Sequence, residues 1–593
     1  MEQGLIRVVK YGILICGGFF ILSLPVQAAS LGEEVNFFVD SGYDAAGRSQ
    51  VKATLRAIGN NIYFYIDNQY YEKLNGTYKN GIREKSEDLA NEFDRVIYPK
   101  LRSVFGSEWN PGIDNDRRIT VLITELVGSA GGYINIYDAY SKSEMPTSNQ
   151  REMIYLNAIN IFDKSNKAYL AHEFQHLITL YQKTILYGQE EEVWLNEARS
   201  EYAPTLCGYD DVYTSSYLSS RVNTFLENPS DSLTEWKNKV ADYGAANLFL
   251  HYLVDHYGIA ILTRMMLNDK IGIASINQAL ADLGYSETFS DIFADWAVAN
   301  YLNDCQIGSG GKYCYLNKNL TYSRLSIDYS ASYSGFPNLI VSRSSLIKDW
   351  SAYWYRFRQG TVQTTDRDTL KLEFQALGDR VDFRIPYIVF SPNSQTTVQF
   401  ISLKNQKGTA YIPNFTSLNK SVVLIPFNQY KKQGFGSSEP SASFSFTASS
   451  VTAASIVEQE KEEEIIEPTI NYPDGSLLRA QGDYRVYIIK TSGQRNYKRW
   501  IQTAEIFNHY DHLKWEDIIE VTAEELAQYQ DSWLIRADGD PRVYELNADS
   551  TRHWLNMTAE QFTLTGHLWD MVYIVNKWER DYYQTGPDVK FNS

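Results

Sequence analysis

Two histidines and a glutamate lie within five positions of one another, in the sequence His-Glu-Phe-Gln-His at residues 172–176. The surrounding residues 167–181 include no proline or glycine and repeat apolar side chains at helical spacing, which predicts a helix. Because side chains four positions apart lie on one helical face, the imidazoles of His172 and His176 can reach a single zinc ion. Glu173 is turned by about 100° from His172, so it stands beside the ion and can act as a general base. An ordinary amphipathic helix with two histidines is the alternative interpretation.

A second pair of acids follows in the stretch Trp-Leu-Asn-Glu-Ala-Arg-Ser-Glu-Tyr-Ala at residues 194–203. Glu197 and Glu201 are four positions apart, so on a helix they also share a face. A peptidase zinc ion takes three protein ligands and leaves its fourth position to water. One of these glutamates can bind the metal, and the other can hydrogen-bond a ligand histidine. The three-histidine class of zinc peptidases is excluded, because Thr179 and Gln182 occupy the positions of its glycine and its last histidine.

The two motifs together resemble the glutamate-zincins, the group that includes thermolysin and the aminopeptidase N family. They resemble more closely the hyicolysin family of secreted bacterial zinc metallopeptidases, over roughly residues 80–300. The resemblance implies three zinc ligands and one catalytic base, which are His172, His176 and Glu197 for the metal and Glu173 for the proton. We assign to Glu201 the orientation of the ligands. The aminopeptidases have glycine directly after the third ligand, whereas this chain has Ala198 at a position that binds no metal.

Peptidases of this group use a tyrosine or a histidine to hydrogen-bond the oxyanion that forms when water attacks the substrate carbonyl. The segment after the third ligand predicts a helix that ends at Gly258, and it contains Tyr243 and His251. These two residues are our candidates for the oxyanion. The alternative is that both are core residues with satisfied hydrogen bonds, since the helix is strongly apolar.

The elements around the motifs predict how the site is positioned. Strands are predicted near residues 118–124, 131–136 and 153–157, directly before the histidine helix. The resemblance implies a small twisted sheet over that helix, with an edge strand that binds a peptide as an extra strand. We take the stretch 131–136 as the candidate edge. Residues 31–80 alternate apolar and polar side chains, which predicts a few antiparallel strands, and a helix follows at about residues 80–104.

The first residues predict export. A basic start, an apolar run at residues 11–24 and a small-residue site before Ala28 are typical of a signal peptide cleaved near Ala28. The apolar run is shorter than the roughly 20 residues that a spanning helix needs. Cys305 and Cys314 bracket a glycine-rich loop and predict a local disulfide, while Cys207 is predicted to be a buried thiol.

The C-terminal half has two further patterns. Short alternating strands with turn clusters at residues 316–455 predict a β-sandwich with an accessory role. Leu477-Leu478-Arg479-Ala480 recurs as Leu534-Ile535-Arg536-Ala537 at a period of 57, which predicts two copies of a small α+β module. Their tryptophans and tyrosines can bind a glycan or a cell-wall polymer, or can fill two small cores.

We therefore expect an α+β multidomain protein, with a thermolysin-like zincin domain followed by an all-β sandwich and two small repeats. The expected boundaries are 1–29 for the signal peptide, 30–80 for an N-terminal β region, 81–315 for the zinc metallopeptidase domain, 316–455 for the sandwich, 456–472 for an acidic linker, and 473–530 and 531–593 for the repeats.

Composition limits the partners. A net charge of −17 argues against nucleic acid, because phosphate binding needs a basic surface. We expect a monomer that acts on a protein or peptide. Zn²⁺ is the expected cofactor. Ca²⁺ is an alternative ligand for the aspartates of residues 110–116, which equally suit a plain Pro-Gly and Asx turn.

Two functions are compatible with these observations. The first is a secreted zinc endopeptidase that uses Glu173 as general base. The alternative is a catalytically inactive, zinc-containing protein of the cell surface that binds through the sandwich and the repeats. An aminopeptidase is disfavoured, because we find no Gly-Ala-Met-Glu-Asn-like stretch that would capture a free amino terminus.

Overall fold

The computed structural model describes residues 29–128, 130–360, 366–392, 394–418, 420–452, 472–492, 495–564 and 567–590. The predicted signal peptide lies outside the described residues except for its last position, and so does the predicted acidic linker except for its last residue. The chain divides into two compact units after residue 456, and both contain helices and sheets, so the protein is α+β and multidomain. Within the described ranges, no helix combines the length and apolar character that a membrane span requires.

One six-stranded sheet forms the platform of the first unit, in the order β1-β2-β3-β4-β6-β5. Its strands are β1 (Glu34–Phe38), β2 (Gln50–Ile58), β3 (Ile62–Asp67), β4 (Ile119–Thr124), β5 (Gly132–Tyr133) and β6 (Met153–Asn157). β3, β4 and β6 run parallel, and β5 pairs antiparallel with β6 at the edge. The strands of the expected N-terminal β region therefore continue the sheet that lies over the histidine helix. β5 has the edge position that we expected for residues 131–136.

The helices of this unit cover one face of the sheet; the first three lie between β3 and β4, and the others follow β6. They are α1 (Asn68–Lys73), α2 (Gly76–Glu92), α3 (Tyr98–Phe105), α4 (Asn166–Thr179), α5 (Val193–Cys207), α6 (Tyr217–Glu227), α7 (Val240–Tyr257), α8 (Ala260–Leu267), α9 (Gly272–Asp282) and α10 (Phe289–Leu302). The helix predicted at residues 80–104 begins earlier, where the side chain of Asn75 caps it, and a π-helical turn at Phe93–Ile97 divides it. A second π-helical turn, Leu180–Ile185, follows α4.

A β-sandwich follows the helices within the same unit. Its strands are β7 (Ala331–Phe336), β8 (Val341–Lys348), β9 (Tyr355–Gln359), β10 (Thr369–Leu377), β11 (Phe383–Arg384), β12 (Pro386–Ser391), β13 (Ser394–Phe400), β14 (Lys407–Ile412), β15 (Ser421–Leu424), β16 (Phe427–Asn428) and β17 (Ser441–Val451). Two sheets, β14-β10-β17-β8 and β13-β12-β15-β9-β7, enclose one apolar core. The sandwich also shares the main core of the unit, because Trp350 packs on Phe289 and Phe293 at ring distances of 4.6 and 5.4 Å.

The disulfide predicted between Cys305 and Cys314 is present, and Cys207 is a buried free thiol as expected. The pairing closes the loop after α10, whose last carbonyl groups are capped by Asn303 in a left-handed conformation. The disulfide could be predicted from the short spacing of its two cysteines, and the buried thiol from the absence of a third partner.

The second unit contains two sheets of matching topology. The first has β18 (Leu477–Ala480), β19 (Val486–Ser492), β20 (Arg495–Ile501), β21 (Ile518–Val521) and β22 (Gln530–Asp531), and the second has β23 (Leu534–Ala537), β24 (Val543–Leu546), β25 (Thr551–Asn556), β26 (Tyr573–Val575), β27 (Gln584–Thr585) and β28 (Val589–Lys590). Short helices alternate with these strands: α11 (Ala504–Asn508), α12 (Ala523–Ala527), α13 (Ala559–Leu564) and α14 (Lys577–Tyr582). In each sheet an antiparallel meander is followed by a strand that returns parallel to the first one.

Candidate metal centre

Helices α4 and α5 pack against each other and bring the two sequence motifs together. One side of α4 belongs to the main core, where Phe174 packs on Phe93 at a ring distance of 4.8 Å. His172 and His176 lie on the side that faces α5, and both are buried. Because α5 also contributes core residues such as Trp194, the helix pair is fixed on both sides of the histidines.

The three expected zinc ligands form one compact group. The Nε2 atoms of His172 and His176 are 3.2 Å apart, and the Oε2 atom of Glu197 lies 3.3 Å from the first and 3.6 Å from the second. Two bonds of about 2.0–2.1 Å that meet at a tetrahedral angle hold their ligand atoms about 3.3–3.4 Å apart. The group is therefore compatible with a metal ion. Among the residues that the structure describes, this is the one His/Cys/Asp/Glu group with three ligand atoms within 4.8 Å of one another.

The charges of the group also suit a cation. Burial alone would raise the pKa of the Glu197 carboxyl, but the two histidines together lower it well below its usual range. Burial opposes a charged His176, yet the carboxylate of Glu197 raises the pKa of that imidazole to about 9. A positive charge is thus favoured at the point where the three side chains meet. A bound metal ion would supply that charge in place of a proton on His176.

Neighbouring side chains fix the orientation of His176. Its Nδ1 atom lies 3.0 Å from the hydroxyl of Ser200 and 3.3 Å from the Oδ1 atom of Asn196. The Ser200 hydroxyl donates to Gln175 at 2.6 Å, so it accepts from Nδ1–H of His176. The Nε2 atom then keeps its lone pair for a metal. The sequence analysis missed Asn196 and Ser200, although their spacing of four on α5 matches that of Glu197 and Glu201.

Glu201 is fully buried directly behind the group. Its Oε1 atom lies 3.4 Å from Nδ1 of His172, which is longer than a good hydrogen bond. Its hydrogen bonds come instead from α6, where Arg221 donates to both carboxylate oxygens at 2.6 and 2.8 Å and Tyr217 donates at 2.5 Å. Glu201 therefore lies beside His172 but is held by α6 rather than by that histidine. No sequence pattern pointed to Arg221, because its pairing with Glu201 depends on how α6 packs.

Glu173 lies between the metal-ligand group and the edge strand. A Cβ atom at Gly132 would lie 2.9 Å from Cγ of Glu173 and 2.7 Å from the carbonyl oxygen of Tyr155, so only glycine fits at this position of β5. The Glu173 side chain is buried, and burial raises its pKa even though both neighbouring histidines lower it. A carboxyl group with a raised pKa, next to a metal-binding group, is suited to exchanging protons.

The two oxyanion candidates lie in different surroundings. Burial, together with the charges of Glu197, Glu201 and Glu173, raises the pKa of Tyr243, so its phenol stays protonated beside the metal-ligand group. The hydroxyl of Tyr243 donates to Asn238 at 2.9 Å.

His251, two helical turns further along α7, is 0% exposed and contacts Tyr202, Thr205 and Asn317 instead. Burial lowers the pKa of His251 to about 3. The ring of Tyr243 lies 5.0 Å from the guanidinium of Arg221, the partner of Glu201, whereas His251 lies in the core.

The turn at residues 110–116 is held by protein groups. Asp114 accepts the backbone N–H of Asp116 at 2.9 Å, and Asp116 accepts that of Arg118 at 3.0 Å, as in Asx turns. The carboxyl of Glu152 fills the space beside Gly112 and accepts the backbone N–H of Ile113 at 3.2 Å. The aspartates that would bind Ca²⁺ in the alternative interpretation thus already accept backbone hydrogen bonds within the turn.

Comparison with known proteins gives a distant relative. No protein-family model matches the chain. The neutral metalloprotease ShpI of Staphylococcus hyicus is 26% identical over a match that covers 29% of this chain and 42% of that protein. The match therefore spans less than half of the relative's length.

Two solved structures share low similarity with the chain. The pre-peptidase C-terminal domain of a collagenase from Bacillus anthracis is 8% identical, covers 20% of this chain and 96% of its own, and has a TM-score of 0.14. A family GH115 4-O-methyl-alpha-glucuronidase is 11% identical, covers 57% of this chain and 52% of its own, and has a TM-score of 0.12. Neither TM-score supports an argument about the fold.

Proposed function

We propose that the protein is a secreted, zinc-dependent endopeptidase. The observation that carries this proposal is the separation of 3.2–3.6 Å among the three ligand atoms of His172, His176 and Glu197, with the carboxyl of Glu173 beside them. The similarity to ShpI supports the same class, since that protein is named a neutral metalloprotease. Two imidazoles and one carboxylate are a donor set that zinc peptidases use.

The proposed mechanism assigns one task to each side chain. When bound, zinc would act as a Lewis acid that polarises the substrate carbonyl and lowers the pKa of water. Glu173 accepts a proton from the attacking water and passes it to the nitrogen of the peptide bond as the C–N bond breaks. Tyr243 remains protonated and donates a hydrogen bond to the developing oxyanion. Glu201 holds a negative charge behind His172 and is itself kept in position by Arg221.

The substrate is proposed to bind along β5. An edge strand has free backbone groups that can pair with an extended peptide. Gly132 lies against Glu173, so a peptide paired with this strand passes the proposed general base. Such a mode does not depend on a chain end of the substrate, which favours cleavage within a polypeptide over removal of terminal residues.

Export is part of the proposal. The disulfide between Cys305 and Cys314 is typical of proteins in oxidising compartments, which agrees with the signal peptide expected at the start of the chain. We propose that the mature protein acts outside the cytoplasm as a monomer. Contact of the C-terminal repeats with a cell-wall polymer or glycan remains a prediction.

Chelator-sensitive proteolysis tests the proposal against the inactive alternative. The purified protein is incubated with denatured casein, with and without a zinc chelator, and zinc is then restored. Cleavage that stops with the chelator and returns with zinc is expected. Bound zinc without any cleavage of casein or of a peptide library would favour the binding protein, and a protein that retains no metal would contradict both.

A further inference from the structure

The loop between β1 and β2 runs beside the edge strand, although it is far from the motifs in sequence. The ring of Tyr43 stacks on Tyr133 of β5 at a centroid distance of 4.6 Å and an angle of 17°. Tyr133 in turn stacks on Tyr155 at 4.3 Å and 4°. Tyr43 is the outer ring of this stack and is 37% exposed. One face of an aromatic ring is thus presented to solvent next to the strand proposed to bind the substrate.

Buried ion pairs hold this loop in place. Asp44 is 2% exposed, and it accepts hydrogen bonds from the guanidinium of Arg48 and from the backbone N–H of Ala46 at 3.0 Å. Arg48 also reaches Asp67 at the end of β3, at 2.8 Å. The carbonyl of Tyr43 accepts the backbone N–H of Val127 at 2.9 Å. Because the backbone on both sides of Tyr43 is fixed, its ring is preorganised to contact a ligand.

The ring of Tyr43 lies on the other face of the edge strand from the reactive groups. Tyr133 directly follows Gly132, so its side chain and the ring of Tyr43 lie on the face of β5 opposite the one that meets Glu173. Burial, and then the charges of Asp40, Glu173 and Glu197, raise the pKa of Tyr43. A peptide that pairs with β5 alternates its side chains in the same way, so a side chain on this face can contact the ring of Tyr43.

We propose that Tyr43 determines substrate specificity by contacting one side chain of the peptide bound along β5, and that this side chain is apolar. The inference rests on the proposed endopeptidase function. The exposed ring of Tyr43 and its neighbour Val127, which is 40% exposed, form an apolar surface. The carboxylate of Asp40, which lies in the same loop as Tyr43, repels an acidic side chain at the same position.

The test measures cleavage of a peptide library by the metal-loaded full chain, with single positions around the scissile bond varied among Phe, Leu, Gly, Glu and Lys. Tyr43→Ala is expected to lower kcat/KM about 10- to 100-fold for peptides with Phe or Leu at one position, and less than about threefold for those with Gly there. Tyr43→Phe is expected to resemble the wild type, because the ring remains. Tyr322→Ala, at another exposed tyrosine of the same unit, is the control and should change no preference.

A variant that gains a new substrate preference must be folded, so its result does not depend on any loss of folding. Tyr43→Arg keeps a planar group that stacks on an aromatic ring and reverses the local charge. It is expected to raise kcat/KM for peptides with Glu at the same position, relative to Leu, by about tenfold or more. If the wild type is active and all three Tyr43 variants keep its substrate preferences, the proposed role of Tyr43 is overturned but the proposed function is not. A wild type that cleaves no peptide would overturn the proposed function as well.

Discussion

The hydrogen bonds of individual residues at the candidate site determine which atoms are free for a metal. Ser200 and Asn196 face Nδ1 of His176, and this leaves Nε2 directed at the partner histidine and Glu197. The Oε2 atom of Glu197 is buried and, among the described residues, has no hydrogen-bond partner. A buried carboxylate oxygen without a partner is costly unless a cation binds it. A cation bound between the histidines and Glu197 would satisfy this oxygen.

The hydroxyl of Tyr243 is the group proposed to stabilise the oxyanion. Tyr243→Phe is expected to lower kcat about 100- to 1,000-fold with little change in KM, because the lost hydrogen bond forms mainly in the transition state. The measurement is steady-state cleavage of a peptide by protein with equal zinc content.

Asn238→Ala is the matched control for Tyr243→Phe. It removes the same ground-state hydrogen bond of 2.9 Å but leaves the hydroxyl in place, so kcat should stay close to that of the wild type. A kcat for Tyr243→Phe within threefold of wild type would show that another group stabilises the oxyanion.

At the scale of elements, the sequence patterns predicted individual helices and strands but not which distant strands pair with each other. The spacing of His172 and His176 predicted α4, and the stretch around Glu197 predicted α5, because both depend on helical periodicity within one segment. Pairing of β3 with β4 joins residues 62–66 to residues 119–123. The alternation of apolar residues predicts a strand but not which strand it pairs with. For this reason the N-terminal strands were expected to form a region of their own.

The same limit applied to single residues of the site. Arg221 reaches Glu201 only because α6 packs on α7, which in turn packs on α5, and Tyr43 reaches β5 only through the order of strands in the sheet. Sequence reasoning found residues that share a short helical repeat. It missed residues whose role depends on contacts between distant segments.

The short connection before β6 contains an acid whose ionisation is linked to stability. Glu152 is 5% exposed, and burial, with the charge of Asp114, raises its pKa to about 8 from an ordinary value of 4.5. A carboxyl with a raised folded-state pKa binds its proton more tightly in the folded state, so the fold loses stability as pH rises from 4.5 to 8. Glu152→Gln removes this loss and keeps an acceptor for the N–H of Ile113.

We therefore expect the free energy of unfolding of Glu152→Gln to exceed that of wild type by about 1 kcal/mol or more at pH 9, with a difference near zero at pH 4. Urea denaturation of the metal-free proteins at several pH values measures it. Glu190→Gln, at an exposed carboxyl, is the control. A difference between Glu152→Gln and wild type that does not change with pH would mean that Glu152 is ionised in the folded protein.

For the whole molecule, the first compact unit contains both the candidate site and the β-sandwich. The main core of the first unit includes sandwich residues such as Trp350 and Phe427 together with Phe293 of α10. The loop of the sandwich also reaches α5, where the backbone N–H of Gly434 donates to Glu192 at 2.6 Å, directly before the helix that holds Glu197. The sandwich is thus part of the structure that supports the metal centre.

Truncations separate these contributions. A chain that ends at residue 456 is expected to melt cooperatively, bind zinc and cleave peptides with a kcat/KM within about threefold of the full chain, because the site lies within the first unit. A chain that ends at residue 315 should lose cooperative melting and zinc binding, since Phe289 and Phe293 lose Trp350. Calorimetry and metal analysis measure both. A folded, zinc-binding chain of 315 residues would show that the sandwich is dispensable.

The most direct test of the account compares wild type with Glu173→Gln for zinc content and peptide turnover in the same preparation. Glu173 is not one of the three candidate metal ligands. Both proteins are therefore expected to bind one zinc ion per chain. Loss of the general base should lower kcat about 100- to 10,000-fold. Turnover of Glu173→Gln that equals the wild type would contradict the assignment of the base, and the absence of zinc from both proteins would contradict the metal centre itself.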